Sequence, residues 1–150
     1  MREVMTKSMA RNIFYGGSLF FIIIFLGLSI HSHRYIVTTS TNAETLTESV
    51  AAGKKVWEDK ACINCHSILG EGAYFAPEVA NVMTRWGVAD DPEGAFDMLK
   101  GWMDAQPTGI EGRRQMPQFN LSDEEVQNLT DFFLWVETID AQGWPPNEAG

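Results

Sequence analysis

The sequence is poor in cysteine and, over most of its length, in basic residues. Only two cysteines occur in 150 residues, so several disulfides cannot support the fold. From Tyr35 to the C-terminus there are 7 Lys and Arg against 19 Asp and Glu, a net charge of −12. A field of this sign repels the phosphates of nucleic acids and anionic lipid headgroups. We therefore set nucleic-acid binding aside and expect basic protein partners.

Alternation of apolar and polar residues is missing as well, and without it a β-sheet domain is not expected. Apolar residues recur instead at helical spacing, and they predict three helices: Leu46–Asp59, Glu93–Asp104 and Asp123–Thr138. Thr45 and Glu48 have the spacing of a capping box before the first helix. Ser122 and Glu125 repeat that spacing before the last helix. The predicted fold class is all-α.

A glycine, Gly53, lies in the middle of the first predicted helix, whereas the last one is rich in bulky aromatic residues. A glycine removes the Cβ atom that would otherwise keep two helix backbones apart, and a large side chain can then pack over it. We expect the first and last helices to cross closely at Gly53.

Long apolar runs are also scarce, with one exception near the N-terminus. The eighteen residues from Ile13 to Ile30 carry no charge, and roughly twenty such residues span a bilayer as a helix. We predict one transmembrane helix at about 13–32, within an anchor of residues 1–34 that is followed by a polar linker over 35–45. A cleaved signal peptide is the alternative. The run is longer than a usual signal-peptide apolar region, and no small-x-small cleavage site follows it.

Positive charges around this run predict its orientation. Arg2, Lys7 and Arg11 precede it, and only Arg34 follows closely. Basic residues stay on the cytoplasmic side, so the N-terminus is expected in the cytoplasm and the rest of the chain outside it. Two further residues at the end of the run, His31 and His33, are interpreted as solvated interfacial residues, and we assign them no role.

The five residues Cys62-Ile63-Asn64-Cys65-His66 have the pattern of a covalent c-type haem site. Each thiol can close a thioether onto one edge of the porphyrin, and His66 then lies under the iron as an axial ligand. Zinc and dithiol redox chemistry are the alternatives. A zinc site needs four protein ligands, and a redox pair needs a βαβ setting that is not visible. Residues 46–150 are therefore predicted to form a monohaem domain, which bacteria assemble on the far side of the inner membrane.

The second axial ligand must come from one of the methionines after the motif. Met116 precedes Pro117, which favours an extended backbone that can hold a sulfur at a fixed distance from an iron. We predict Met116 as the ligand, because a His/Met pair gives an iron of raised potential that passes electrons. The other methionines, Met83, Met98 and Met103, lie in helical segments and are expected to fill the core. In the same loop, Arg113 and Arg114 either neutralise the haem propionates or are simply solvated.

The order of the haem motif, the terminal helices and the Met-Pro pair resembles class I cytochromes c. In that family a proline carbonyl accepts a hydrogen bond from the axial histidine, which implies this role for Pro77. Four longer stretches are similar to the small cytochrome c subunit of bacterial nitric oxide reductases: Met9–Ser18, Gly70–Glu78, Gly112–Pro117 and Trp144–Asn147.

This resemblance implies a heterodimer in the bacterial inner membrane. The small subunit takes electrons from a soluble periplasmic cytochrome c or cupredoxin. It passes them to a large multi-span subunit with a haem b, a high-spin haem and a non-haem iron, where two NO become N2O and water. A free membrane-tethered electron shuttle and a haem-based gas sensor are the competing functions. The sensor would need a vacant sixth position, against which Met116 argues.

The loop from Gly70 to Pro77 has more aromatic and glycine content than a solvent loop requires. We expect Tyr74 and Phe75 to dock on the catalytic subunit, and the alternative is that they pack against the porphyrin. The resemblance also implies that the backbone carbonyls of Gly72 and Tyr74 bind a calcium ion shared with that subunit. Such a hard cation is suited to carbonyl oxygens.

Overall fold

The computed structural model describes residues 5–41, 43–112 and 114–144. The chain divides into two compact units, Met1–Ser40 and Thr41–Gly150. The boundary between them lies inside the predicted linker of residues 35–45.

The described residues of the first unit form one long helix, α1 (Lys7–Tyr35), which continues as a π-helical turn over Ile36–Ser40. By length and composition it is able to cross a membrane, and none of its apolar stretch is buried within the protein. The helix extends at both ends beyond the predicted residues 13–32, so the first half of the predicted linker is helical. In this extension the Thr38 hydroxyl donates to the Arg34 carbonyl at 2.7 Å, so its polar group is bonded along the helical path.

Among its described residues, the second unit consists of helices, one very short hairpin and connecting loops. Its elements in chain order are a 3-10 turn (Ala43–Thr45), α2 (Glu48–Asp59), a second 3-10 turn (Cys62–Asn64), β1 (Ser67–Ile68), β2 (Glu71–Gly72), α3 (Val82–Trp86), α4 (Pro92–Asp104) and α5 (Asp123–Glu137). The two strands are antiparallel, with Ser67 opposite Gly72. Sequence periodicity missed this hairpin because two-residue strands are too short to show alternation.

Helices α2 and α5 cross at Gly53, as predicted. A Cβ atom at this position would lie 1.9 Å from the Asn128 carbonyl oxygen and 2.7 Å from the Cβ of Phe132. No side chain fits there, so the contact requires glycine. Beside it, the Ser49 hydroxyl donates to the Asn128 side chain at 2.8 Å and also to Asp131.

The helix ends agree with prediction in one case and differ in another. The capping box of Ser122 and Glu125 at the start of α5 is present in both directions. The predicted cap at Thr45 is wrong, because α2 starts later and Thr47 accepts the capping bond from the Val50 N–H at 3.2 Å. Thr45 serves a tertiary contact instead, accepting from the indole N–H of Trp135 at 3.0 Å.

The core lies between α2, α4 and α5, with α3 against the end of α5. Of the three methionines expected to fill it, Met83 and Met103 are buried. The expectation for Met98 is wrong, since its side chain is 45% exposed. Helix α4 buries the face that carries Leu99 and Met103, and Met98 lies about 100° around the helix from Leu99.

Candidate haem-binding site

A tight turn brings the two thiols and the imidazole close together. Ala61 enters it in the left-handed conformation with φ 54°. The backbone N–H groups of Cys65 and His66 then both donate to the Cys62 carbonyl, at 3.1 and 2.9 Å. Both cysteines are free thiols.

The imidazole of His66 is fixed by a hydrogen bond from Nδ1 to the Pro77 carbonyl oxygen at 2.8 Å. This is the contact that the resemblance to class I cytochromes c implies. A carbonyl oxygen only accepts, so Nδ1 carries the proton and Nε2 keeps its lone pair. A histidine in this state is ready to bind a metal through Nε2, and the carbonyl holds the ring and raises its basicity.

The thiol of Cys62 is not prepared for thiolate chemistry. Burial raises its pKa to about 11, which disfavours dithiol exchange. Within residues 5–41, 43–112 and 114–144, no three His, Cys, Asp or Glu side chains group as a metal site would require. Attachment through thioether bonds needs neither feature.

The chain that follows the turn folds back against it, and we call residues 61–80 the proximal segment. The Ala73 N–H donates to the Ile63 carbonyl at 3.0 Å, and the Phe75 and Ala76 N–H groups donate to the Cys65 carbonyl at 3.1 and 2.9 Å. Gly72 has φ 120°, and a Cβ atom there would lie 2.3 Å from the His66 carbonyl oxygen. The predicted calcium and docking residues are therefore attached directly to the turn that holds the cysteines.

A buried carboxylate supports the far end of the proximal segment. Glu78 Oε1 accepts from the N–H groups of Leu69 and Ala80, at 2.8 and 3.0 Å, and its Oε2 accepts from Gly70 at 3.2 Å. Leu69 and Gly70 form the hairpin turn and both have positive φ. The ring of Trp144 packs over Gly70, 3.4 Å from where a Cβ would lie.

Met116 lies in the loop between α4 and α5, which we call the Met116 loop (residues 105–121). Its side chain is half-buried and packs against the same core cluster as Cys62. The glutamine on either side of the Met-Pro pair binds the loop. Gln115 accepts from Gly109 N–H at 3.1 Å and donates to the Ile110 carbonyl at 2.7 Å. Gln118 donates to the carbonyls of Met103 and Gln106 at 3.0 and 3.1 Å.

The Met116 loop contacts the proximal segment through Arg114, whose guanidinium lies 3.9 Å from the centre of the Phe75 ring. This cation–π contact argues against a simply solvated Arg114. Arg113 and residues 145–147 of the fourth similar stretch lie outside the described residues, as does Arg2. Tyr74 and Phe75 remain 70% and 61% exposed, and the Tyr74 hydroxyl donates to the Gly70 carbonyl at 3.0 Å.

The groups present fit a covalently bound haem: two free thiols, an imidazole with a free Nε2, and a half-buried thioether on the shared core. Sequence reasoning missed Glu78, Gln115 and Gln118. The two glutamines flanking the Met-Pro pair were a usable signal, because an amide can both donate to and accept from loop backbone. Nothing in a single sequence marks Glu78 as buried.

Comparison with known proteins assigns the chain to a family. The family described as Cytochrome c matches residues 50–137. Over all 150 residues of both chains, the protein is 63% identical to the C-subunit of nitric oxide reductase from Paracoccus denitrificans and 61% identical to that from Cereibacter sphaeroides. The corresponding protein of Stutzerimonas stutzeri is 51% identical, again over the full length.

The chain belongs to the family of nitric oxide reductase C-subunits. The resemblance stated from the sequence is thereby confirmed, as is an all-α fold with one N-terminal helix able to span a membrane. Membership makes this an electron-transfer subunit of a membrane complex, and its cytochrome c domain implies a covalently bound haem c.

Proposed function

We propose that this chain collects electrons outside the cytoplasmic membrane and delivers them to the catalytic subunit of a nitric oxide reductase. The donor is a small periplasmic carrier, a cytochrome c or a cupredoxin. The acceptor is a multi-span subunit with a haem b and a non-haem iron centre, where two NO are reduced to N2O and water. Helix α1 anchors the domain, with its N-terminus in the cytoplasm.

The hydrogen bond between His66 and Pro77 is the observation that carries the proposal. It leaves His66 Nε2 free to bind the haem iron, and Met116 would supply the second ligand from a loop held by the glutamines on either side of the Met-Pro pair. The haem supplies reversible one-electron chemistry when it is bound. Two protein ligands leave no position for substrate, so the reduction of NO belongs to the partner.

The surface formed by Tyr74, Phe75 and Arg114 is the proposed contact with the catalytic subunit. Two aromatic rings that are more than half exposed are costly in water, and aromatic and Arg side chains are enriched at protein interfaces. Backbone hydrogen bonds from Ala73, Phe75 and Ala76 tie this surface to the cysteine turn. An electron leaving near the turn would therefore have a short path into the partner.

A calcium ion at this contact is part of the proposal. The carbonyl oxygens of Gly72 and Tyr74 would bind it together with groups of the catalytic subunit. Because main-chain atoms would be the ligands, Tyr74→Phe should leave calcium bound, although it removes the hydrogen bond to the Gly70 carbonyl. Deleting Gly72 should release the ion or separate the subunits. A complex that assembles with full calcium after that deletion would rule out this bridge.

Purification of the tagged chain in detergent tests the proposed partnership. The reduced spectrum should contain b-type and c-type haem in a constant ratio, and the preparation should consume NO. A preparation with c-type haem alone would instead identify a free membrane-tethered shuttle.

A further inference from the structure

Glu78 is a charged side chain in a place where charge is expensive. It is only 4% exposed, and its carboxylate is held by three backbone N–H groups, those of Leu69, Gly70 and Ala80. Burying an ionised carboxylate is unfavourable unless hydrogen bonds or an opposite charge compensate it. Here both are present, because Arg85 donates to the backbone carbonyl of Glu78 at 2.6 Å and its guanidinium attracts the carboxylate.

These contacts keep Glu78 ionised. Burial alone would raise the pKa of its carboxyl group, but the backbone N–H groups that donate to it, Ala80 and Gly70 among them, outweigh burial and hold the pKa below its ordinary value. At neutral pH the residue is thus a fixed negative charge inside the domain.

The position of this charge relative to His66 is specific. Glu78 directly follows Pro77, whose carbonyl accepts the His66 Nδ1 proton. The next residue, Val79, donates to the Ser67 carbonyl at 3.0 Å, and Ser67 directly follows His66. The carboxylate itself binds the turn at Leu69 and Gly70. Hydrogen bonds on both sides of Glu78 therefore join the stretch that begins with His66 to the stretch that carries its acceptor, Pro77.

We propose that Glu78 is a positioning residue that sets the reduction potential of the haem through the His66 side. This rests on the proposed axial role of His66. A fixed anion beside the axial histidine favours the oxidised iron, which carries one more positive charge than the reduced iron. By bracing the Pro77 carbonyl, Glu78 also strengthens the hydrogen bond that makes the imidazole a better donor to the oxidised iron. Both effects lower the potential, so removing the charge should raise it.

The test is a spectroelectrochemical titration of the full-length holoprotein in detergent. Glu78→Gln keeps the shape of the side chain but removes the charge and one acceptor. We expect the equilibrium constant for reduction of the haem in Glu78→Gln to rise by about tenfold, which corresponds to a reduction potential higher by ~59 mV for one electron. Glu78→Asp keeps the charge and should lie closer to the wild type.

Glu137→Gln is the matched control. The Glu137 carboxylate also accepts hydrogen bonds, from the Met83 and Thr84 N–H groups and from the Thr84 hydroxyl. These bonds cap α3 and do not involve the proximal segment. Glu137→Gln should lower the unfolding temperature and leave the reduction potential almost unchanged. If Glu78→Gln behaves in the same way, with a normal low-spin spectrum, then Glu78 is only structural and the inference is wrong.

A milder variant covers the case in which Glu78→Gln yields no holoprotein. Arg85→Gln leaves Glu78 in place but removes the positive charge that attracts its carboxylate, so the anion is less neutralised and the equilibrium constant for reduction should fall by roughly twofold. An unchanged or raised potential would overturn the inference. A wild-type spectrum without low-spin c-type haem would instead refute the proposed ligation by His66 and Met116, so the two failures are distinguishable.

Discussion

The two sides of the haem site are built differently. The proximal segment is held by backbone hydrogen bonds and by a buried carboxylate, and Gly72 touches the His66 carbonyl so closely that no side chain fits. The Met116 loop is held mainly by the side chains of Gln115 and Gln118, which are exposed. Several backbone hydrogen bonds together with a buried carboxylate are harder to open than a few exposed side-chain contacts. His66 should therefore be the permanent ligand and Met116 the exchangeable one.

Met116→Ala should have the largest effect on the iron. Loss of the thioether leaves the sixth position open to added ligands such as imidazole or CO, and it lowers the reduction potential. The fold should persist, because the proximal segment does not depend on Met116. An oxidised optical spectrum identical to that of the wild type would show that another residue is the ligand.

A pair of glycine substitutions compares the backbones of the two sides directly. In Gly72→Ala the new Cβ atom would collide with the His66 carbonyl oxygen, and alanine would have to adopt φ 120°. This substitution should therefore destabilise the domain by about 3 kcal/mol or more. Gly112→Ala in the Met116 loop has φ 76° but nothing within 4 Å, so about 1 kcal/mol is expected. Chemical denaturation measures both. Equal losses would mean that the two sides are equally rigid.

The sequence predicted the helices and the Gly53 crossing because each depends on local spacing or on a strong residue preference. The His66 to Pro77 contact was implied by the resemblance to class I cytochromes c. It did not predict Thr47 as the cap of α2, since several hydroxyl residues precede that helix and tertiary contacts decide among them. Met98 was misassigned because periodicity does not tell which flank of a broad apolar stripe meets the core. Glu78 escaped notice because burial of a carboxylate depends on chain segments that meet only in the fold.

Substitution of the loop glutamines should have a moderate effect. Gln118→Ala removes the bonds to the carbonyls of Met103 and Gln106 at the end of α4, so Met116 should be displaced more easily, by about 1 kcal/mol or roughly fivefold in the affinity for added imidazole. Gln127→Ala is a matched control on α5, where the side chain binds Asp131. If both variants bind imidazole as the wild type does, Gln118 does not hold the ligand loop.

Added salt should have the smallest effect of these changes, and it acts on the charge of the whole haem domain rather than on one contact. With a net charge of −12 from Tyr35 onward, the haem domain should attract basic donors over long range, and salt screens such attraction. The bimolecular rate of reduction by a basic cytochrome c should therefore fall as ionic strength rises in stopped-flow experiments. A flat rate would show that the net field does not guide docking.

The most direct test of the electron-transfer role is the order in which the haems of the purified complex become reduced. In an anaerobic stopped-flow experiment, the complex is mixed with a reduced periplasmic carrier and the c-type and b-type bands are followed separately. We predict that the c-type band of this chain rises first and the b-type band follows, and that Met116→Ala slows both. A b-type band that rises first, at a rate unaffected by Met116→Ala, would contradict the account.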